Sequence, residues 1–446
     1  MIEQQYIDLF QHHRAEINEN SIEVLNDQRE AAFEMFREIG FPTSKIEEYI
    51  HSDVSQAFRA DLGLNINNLP IPINPYDTFK CDVPNLDTNL HFVVNDRYYD
   101  NNNQVEGLPK GVYAGGMSDF AKLHSHVFKK YYGKAVDYSD NGVAAFNTMF
   151  TQDGFVLYVP KNVEIEKPIQ LINILRGGVD LNVNRRILII AEEGSKAKLL
   201  VCDHTLDDVD FVVTQVTEIF AEKDSVLDFY ELEENSAKVT RLSSLFTSQK
   251  ENSHVIASNI TLHNGYTRNN YRFRLLGEYA HATIGGLAIT DKQQHVDNYA
   301  FLDHATPNCT SNELFKYVLK DRSTGVFCGK ILVEKDAQKT LAYQTNRNLL
   351  ASPDARMFAK PQLEIYADDV KCSHGLTTGH LDEDALFYLQ SRGITKEEAQ
   401  MLLMVAFTKD VVDLVNIDTL KERLEYLIEK RFRGELMRCG NCNVCK

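Results

Sequence analysis

Between about residue 147 and residue 375 the chain alternates apolar and polar positions in short runs broken by polar turns. Val226-Leu227-Asp228-Phe229-Tyr230 and Val255-Ile256-Ala257-Ser258-Asn259-Ile260 are such runs. A period of two is the mark of strands. The turns Glu193-Gly194-Ser195-Lys196, Glu222-Lys223-Asp224-Ser225, Lys250-Glu251-Asn252-Ser253 and Glu278-Tyr279-Ala280-His281 recur roughly every 28 residues, a spacing typical of solenoid arrays. No long helical pattern separates the runs, and no Trp-Asp propeller mark occurs. The pattern therefore predicts a β-helix rather than a doubly wound sheet.

Helical patterns flank this region. Residues 22–39 carry Ala32, Met35, Phe36 and Ile39 on one predicted face, and Gly40-Phe41-Pro42 stops the helix. Asn65 to Pro75 reads as a linker and Met117 to Tyr132 as a second helix. After residue 376, Asp382, Glu383 and Asp384 place negative charge at a helix start. Gly393 is the natural residue to end that helix. Thr395 with Glu398 forms a capping box for the next, along which Ala399, Leu402, Leu403 and Ala406 make one apolar stripe. A third helix is predicted from about Thr419, with Leu420, Leu424, Leu427 and Ile428 on one side. Three regions follow: 1–146, mostly helical; 147–376, the strand-rich core; 377–446, helical with a cysteine-bearing tail.

A chain of 446 residues can bury a large core. Its 25% charged and 43% apolar residues are ordinary for a folded protein. The formal charge of −17 argues against a nucleic-acid or anionic-membrane surface. With no apolar run near membrane-spanning length and no leader pattern at Met1, the expected location is the cytoplasm. Cys81, Cys202, Cys309, Cys328 and Cys372 stand singly, unlike a secreted disulfide framework.

The chemistry-bearing candidates are few. Gln362 to Tyr366 reads as a strand and Asp368-Asp369 as a turn, after which Val370, Cys372 and His374 share one face of an extended segment. Thiol and imidazole would lie roughly 6 to 7 Å apart at Cα. Both are ligands for iron or zinc, yet two ligands do not close a site, so others must come from elsewhere. A buried thiol beside a hydrogen-bonded imidazole is the plainer reading of the spacing. Gly325-Val326-Phe327-Cys328-Gly329-Lys330-Ile331 imitates a phosphate loop but is a residue short, with Ile331 where a hydroxyl must reach magnesium. No nucleotide is expected on this chain. His295, Asp297, Asp303, His304 and Cys309 read as structural hydrogen-bonding groups. Cys439, Cys442 and Cys445 space three thiols as C-x-x-C-x-x-C. Such a set is incomplete for a closed metal site, and suits a tail that hands on metal or sulfur, one completed by another cysteine, or one that binds opportunistically.

The segment Cys372-Ser373-His374-Gly375, Gly379, Leu386-Phe387-Tyr388-Leu389 and Ser391-Arg392-Gly393 resembles the C-terminal signature of the SufB/SufD family of iron–sulfur cluster assembly scaffolds, and within it the SufD branch. Phe41-Pro42-Thr43-Ser44-Lys45-Ile46-Glu47-Glu48-Tyr49 resembles an N-terminal motif of the same family, with Tyr49 where Trp is usual. The resemblance implies a mainly β fold, with a right-handed parallel β-helix core flanked by N-terminal and C-terminal helical regions. It implies a non-catalytic scaffold that pairs with SufB, or with itself when isolated, and that binds the ATPase SufC through its C-terminal helices. Leu386, Phe387, Tyr388, Leu389, Arg392, Leu402, Leu403 and Phe407 would form that docking face. His374, with Cys372, would face the partner and take part in building a transient iron–sulfur cluster. The signature does not include the Cys439, Cys442 and Cys445 tail, and leaves a role for flavin open. The competing expectations are a SufB-like paralogue, against which the lack of a cysteine cluster in the N-terminal half counts, a metal or iron–sulfur carrier acting through the cysteine tail, and a β-helix polysaccharide lyase.

Overall fold

In a computed structural model of the chain, residues 2–59, 62–69, 71–78, 87–100 and 107–435 are described. From Ile169–Leu175 onward successive strands enter two sheets alternately, so each pairs in parallel with the strand one coil away. One sheet runs from Tyr113–Gly116 through Phe155–Val159 and Leu181–Ala191 to Arg356–Ile365; the other runs from Arg97–Tyr98 and Asn89–Val94 through Ile169–Leu175 to Lys371–Gly379. This is the parallel β-helix that the alternating runs predict. Strand pairing begins upstream of residue 147, where Asn89–Val94 pairs with Ile169–Leu175. Helices and turns interrupt the chain there, so no period is visible in the sequence.

The predicted turns coincide with chain reversals. Gly194, Asp224, Asn252, Tyr279 and Asn308 hold the left-handed conformation at equivalent places in successive coils, which glycine, asparagine and aspartate accept most readily. Ser225 and Ser253 each donate a hydroxyl to the carbonyl three residues back, at 2.6 and 2.7 Å. Neighbouring turns also bond to each other. Asn252 Nδ2 donates to Asp224 Oδ1 at 2.7 Å across a separation of 28 residues.

The lumen between the sheets is packed with Ile, Leu, Val, Phe and Ala from both sides. A polar spine crosses this interior. Asp203 bridges Arg185 and Arg241, both at 2.8 Å, and Arg241 also reaches Glu231 at 2.6 Å. Arg241 donates to Asn269 at 2.7 Å, Asn269 to Asn298 at 2.9 Å, and Asn298 to the Tyr317 hydroxyl at 2.6 Å. Burial alone would push the Asp203 carboxyl up, but the two guanidiniums outweigh it and hold it below its ordinary value. Glu313 lies in the same lumen, 2% exposed. Its carboxylate oxygen Oε2 accepts from Gln344 Nε2 at 3.1 Å. Burial pushes this carboxyl up to about 8.

The outer faces carry the helices. Helix Glu23–Ile39 buries Val24, Leu25, Arg29, Ala32, Phe33 and Phe36. Phe33 therefore packs inward, and the predicted Met35 and Ile39 are only half-buried, because the neighbouring helix Gly142–Phe150 lies on that side. A Cβ on Gly142 would meet the Gly40 carbonyl oxygen at 1.7 Å, so this crossing requires glycine. The segment after Gly40 lies on the first sheet. The Arg268 guanidinium sits 4.1 Å from the Tyr49 ring centroid, pairs with Asp297 and donates to the Glu48 carbonyl at 2.8 Å. Tyr49, with its own aromatic face, meets Arg268 where the usual Trp of the resembling motif would stand. Helices Lys396–Val412 and Asp418–Phe432 cover the second sheet. On the former, Ala399, Met401, Met404, Thr408, Val411 and Val412 are buried, whereas Leu402 is exposed. The stripe predicted through Leu402, Leu403 and Ala406 is thus corrected. The helix is apolar on several sides, and the sheet beneath selects which one is buried. No helix among the described residues is long and apolar enough to cross a membrane.

Two stability predictions follow from the lumen. Arg241→Ala leaves Glu231 without its guanidinium and Asp203 with Arg185 alone in the interior, and should cost about 3–5 kcal/mol, the usual size for breaking a buried charge network, measured by urea unfolding. Glu313 keeps its proton in the fold up to about pH 8 but loses it near 4.5 when unfolded, so the fold loses stability as pH rises through that interval. Glu313→Gln should abolish this component: its stability relative to the native chain should increase between about pH 5 and about pH 9, read by denaturant unfolding at the two pH values.

Candidate functional site at the open end of the β-helix

The last strands of the two sheets, Arg356–Ile365 and Lys371–Gly379, are each paired on one side only among the described residues. Such an edge presents a row of backbone N–H and C=O groups to a further strand. Around it Tyr366, Ile365, Tyr343 and Leu376 are exposed. At the opposite end of the helix, the short strands Arg97–Tyr98 and Tyr113–Gly116 pair antiparallel with their neighbours, and Tyr98, Leu108, Val112 and Ala114 pack against the lumen core. The turn that leads into the last strand is built on Asp368-Asp369, as expected. The Asp369 carboxylate pairs with Lys339, and its N–H donates to Gln338 Oε1 at 2.9 Å. The two carboxylates therefore do not converge on a catalytic centre.

Cys372 and His374 lie on this final strand, both on its lumen-facing side. Cys372 is aligned with Ala342 and, with Val370, packs against the lumen core. It is half-buried, and burial pushes its thiol up, so the free thiol is protonated at neutral pH. His374 is aligned with Gln344 and is exposed at the helix mouth. The thiol is largely a packing group while the imidazole stands in solvent, so the two do not form the buried, hydrogen-bonded pair of the plainer reading of the spacing. No group of three or more His, Cys, Asp or Glu side chains able to hold a metal occurs among the described residues. A ligand set including His374 and Cys372 thus requires atoms from outside them. Cys81, Cys439, Cys442 and Cys445 lie outside the described residues.

The other sequence candidates resolve into structural roles. Gly325 to Ile331 lies within strand Thr324–Val333, hydrogen-bonded on both sides. Its N–H groups belong to the ladders and cannot cradle a phosphate. His295 Nε2 meets Ser52 Oγ at 2.9 Å, Asp297 holds Arg268, and His304 Nε2 meets Ser311 Oγ at 2.8 Å. Burial lowers both imidazoles to about 4, keeping them neutral. Cys309 is buried and donates to the Gly277 carbonyl at 3.2 Å.

The C-terminal helices begin as their caps predict. Asp382 accepts from the Ala385 N–H at 3.0 Å and Thr395 from the Glu398 N–H at 3.3 Å, while Gly393 takes a positive φ of 87°. Helix Glu383–Ser391 has no fully buried residue. Phe387 is 73% exposed and Tyr388 56%, and the Arg392 guanidinium sits 5.0 Å from the Tyr388 ring. Leu386, Leu389 and Leu403 are half-buried and Leu402 is exposed. Phe407 is engaged with the body: Lys316 Nζ lies 4.9 Å from its ring, donates to its carbonyl at 2.8 Å and pairs with Asp410 at 2.6 Å.

Sequence reasoning missed Glu313 and Gln344, which stand directly behind His374 in the lumen. A polar residue at an inward strand position looks the same in the sequence as one on a solvated face, so the strand pattern held no signal for them.

Comparison with known proteins agrees with this architecture. The family described as SUF system FeS cluster assembly, SufBD core domain, matches residues 174–407, and the SufBD protein N-terminal region matches residues 1–171. An iron–sulfur cluster assembly SufBD family protein of Synechocystis is 24% identical over 92% of this chain and 91% of its own length. The iron–sulfur cluster assembly protein SufD of Escherichia coli is 40% identical over 37% of this chain and 40% of its own, and that of Bacillus subtilis 27% over 73% and 75%. With the core match extending across the coils, the open end and the first two C-terminal helices, the chain belongs to the SufBD family of iron–sulfur cluster assembly proteins.

Proposed function

We propose that this chain is a non-catalytic, cytoplasmic scaffold for iron–sulfur cluster assembly, of the SufD type. The observation that carries the reading is the open end. Two half-paired strands, Arg356–Ile365 and Lys371–Gly379, offer edges to a second β-helix and hold an exposed His374 at the same mouth. The partner is a SufB-type subunit, or a second copy of this chain in its absence. The nascent cluster is cargo at the boundary. His374 lends it an imidazole, and Cys372 a thiol once the cluster's own charge has drawn off the proton. Ligands from the partner complete the set, since two do not close a site.

The three regions divide the work. Residues 1–146 brace the first sheet and supply the opening strands of both, 147–376 form the rest of the coil, and 377–446 receive the partner ATPase. Helix Glu383–Ser391 supports that last role, because Phe387 and Tyr388 stand in solvent with no packing duty of their own. Nucleotide hydrolysis belongs to the ATPase, whose closure would strain the paired scaffolds and open the boundary. The likeness to the SufD cluster assembly proteins of Escherichia coli and Bacillus subtilis favours this reading over a lyase or a carrier working through Cys439, Cys442 and Cys445.

His374→Ala should leave complex formation unchanged and lower cluster assembly at least about tenfold, the size expected on losing a ligand-shell group. Copurification and the cluster's visible absorbance read the two outcomes separately, and normal assembly in this variant would exclude the role given to His374. Phe387→Ala with Tyr388→Ala should weaken capture of the ATPase by about 2 kcal/mol or more, as for aromatic anchors at an interface centre, with the fold's melting temperature unchanged.

A further inference from the structure

The lumen column that ends at His374 changes character as it nears the mouth. Aligned through successive coils it reads Ile169, Leu199, Phe229, Ala257 and Ile284, then Glu313, Gln344 and His374. The first five belong to the apolar core. Glu313 and Gln344 are each 2% exposed, so neither serves solvent. Burying an amide and a carboxyl is costly unless their hydrogen bonds are made. One bond is made, from Gln344 Nε2 to Glu313 Oε2 at 3.1 Å. The remaining side-chain oxygens, Gln344 Oε1 and Glu313 Oε1, are buried without a partner. The opposite sheet leaves space for this pair: a Cβ on Gly329 would stand 2.2 Å from Gln344 Nε2. Gly329, part of the apparent phosphate loop, therefore serves to admit the Gln344 amide.

We propose that Gln344 is a positioning residue for His374, its unpartnered Oε1 accepting an imidazole N–H when the mouth is covered by the partner, while Glu313 fixes the way round of the amide. This rests on the role given to His374 above. One amide N–H goes to Glu313 in the coil before, which turns the oxygen, on the other side of the planar amide, toward the next coil. An imidazole that donates from one nitrogen presents the lone pair of the other, the form needed to ligate iron. Gln344 thereby sets which nitrogen of His374 meets the cargo.

The test uses the full chain in complex with its partners, with histidine ring nitrogens isotopically labelled. In the native complex, the His374 ring-nitrogen shifts should report one dominant neutral tautomer; an even mixture overturns the inference. Gln344→Met, close in volume but without the acceptor, should redistribute the tautomers and lower cluster assembly from ferrous iron and sulfide about tenfold, the usual effect of losing the outer partner of a ligating histidine. Glu313→Leu should do the same without touching Gln344, and Glu313→Gln, which keeps an acceptor for the amide, should restore both readouts. Unaltered His374 shifts in folded Gln344→Met and Glu313→Leu overturn the proposal. The outcomes are separable: normal assembly in His374→Ala defeats the function assigned to the imidazole, whereas lost assembly there with native shifts in Gln344→Met defeats only the support assigned to Gln344.

Discussion

Everything in this molecule depends on the parallel register between coils. Each coil's backbone is satisfied by the coils before and after it, so a residue's position in one coil fixes its neighbour in the next. That single constraint aligns the left-handed turn residues Gly194, Asp224, Asn252 and Tyr279. It also stacks the apolar lumen and brings Cys372 and His374 to the last rung. It has one consequence: among the described residues the final strands have no coil beyond them. Their outer edges keep backbone N–H and C=O groups that no further rung of the coil satisfies.

The interior is unusual in carrying charge as well as apolar packing. Arg185, Asp203, Glu231 and Arg241 are linked to one another inside the lumen, where an unpaired charge would be strongly unfavourable. Such a network adds little net stability over an apolar core, but it tolerates only one register, since a slip of one residue would turn every member outward. Nearer the mouth the pairing becomes neutral. Glu313, held as a protonated acid, and Gln344 replace ion pairs and lead to the imidazole. The lumen thus changes from ion pairs that lock the coil together to a neutral hydrogen-bonded pair beneath its open end.

The two flanking regions solve opposite problems. The N-terminal segment is tied down by specific chemistry, with Tyr49 and Asp297 enclosing Arg268 and His51 stacked on Phe358 at 3.8 Å. The C-terminal helices are anchored by Lys316 and by Arg431, which reaches Asp291 at 2.6 Å. Beyond those anchors helix Glu383–Ser391 stands apart, with its aromatic side chains in solvent. One flank is packed onto the coil and the other leaves an aromatic surface uncovered.

The period of the turns, the alternation of the strands and the caps at Asp382 and Thr395 were legible from residue order alone, because each is a local rule of backbone geometry. So was the pairing of Cys372 with His374 on one strand face, together with the failure of the apparent phosphate loop. Position along the coil could not be read, since it depends on contacts between residues some 30 apart in sequence. Hence nothing in the sequence singles out Glu313 and Gln344, the predicted stripe on helix Lys396–Val412 runs through the exposed Leu402, and strands as early as Asn89–Val94 give no sign. What the chain dictates by itself is the repeating coil. Which polar side chains it encloses, and that the last rung is left open beside His374, is decided only when the coils stack.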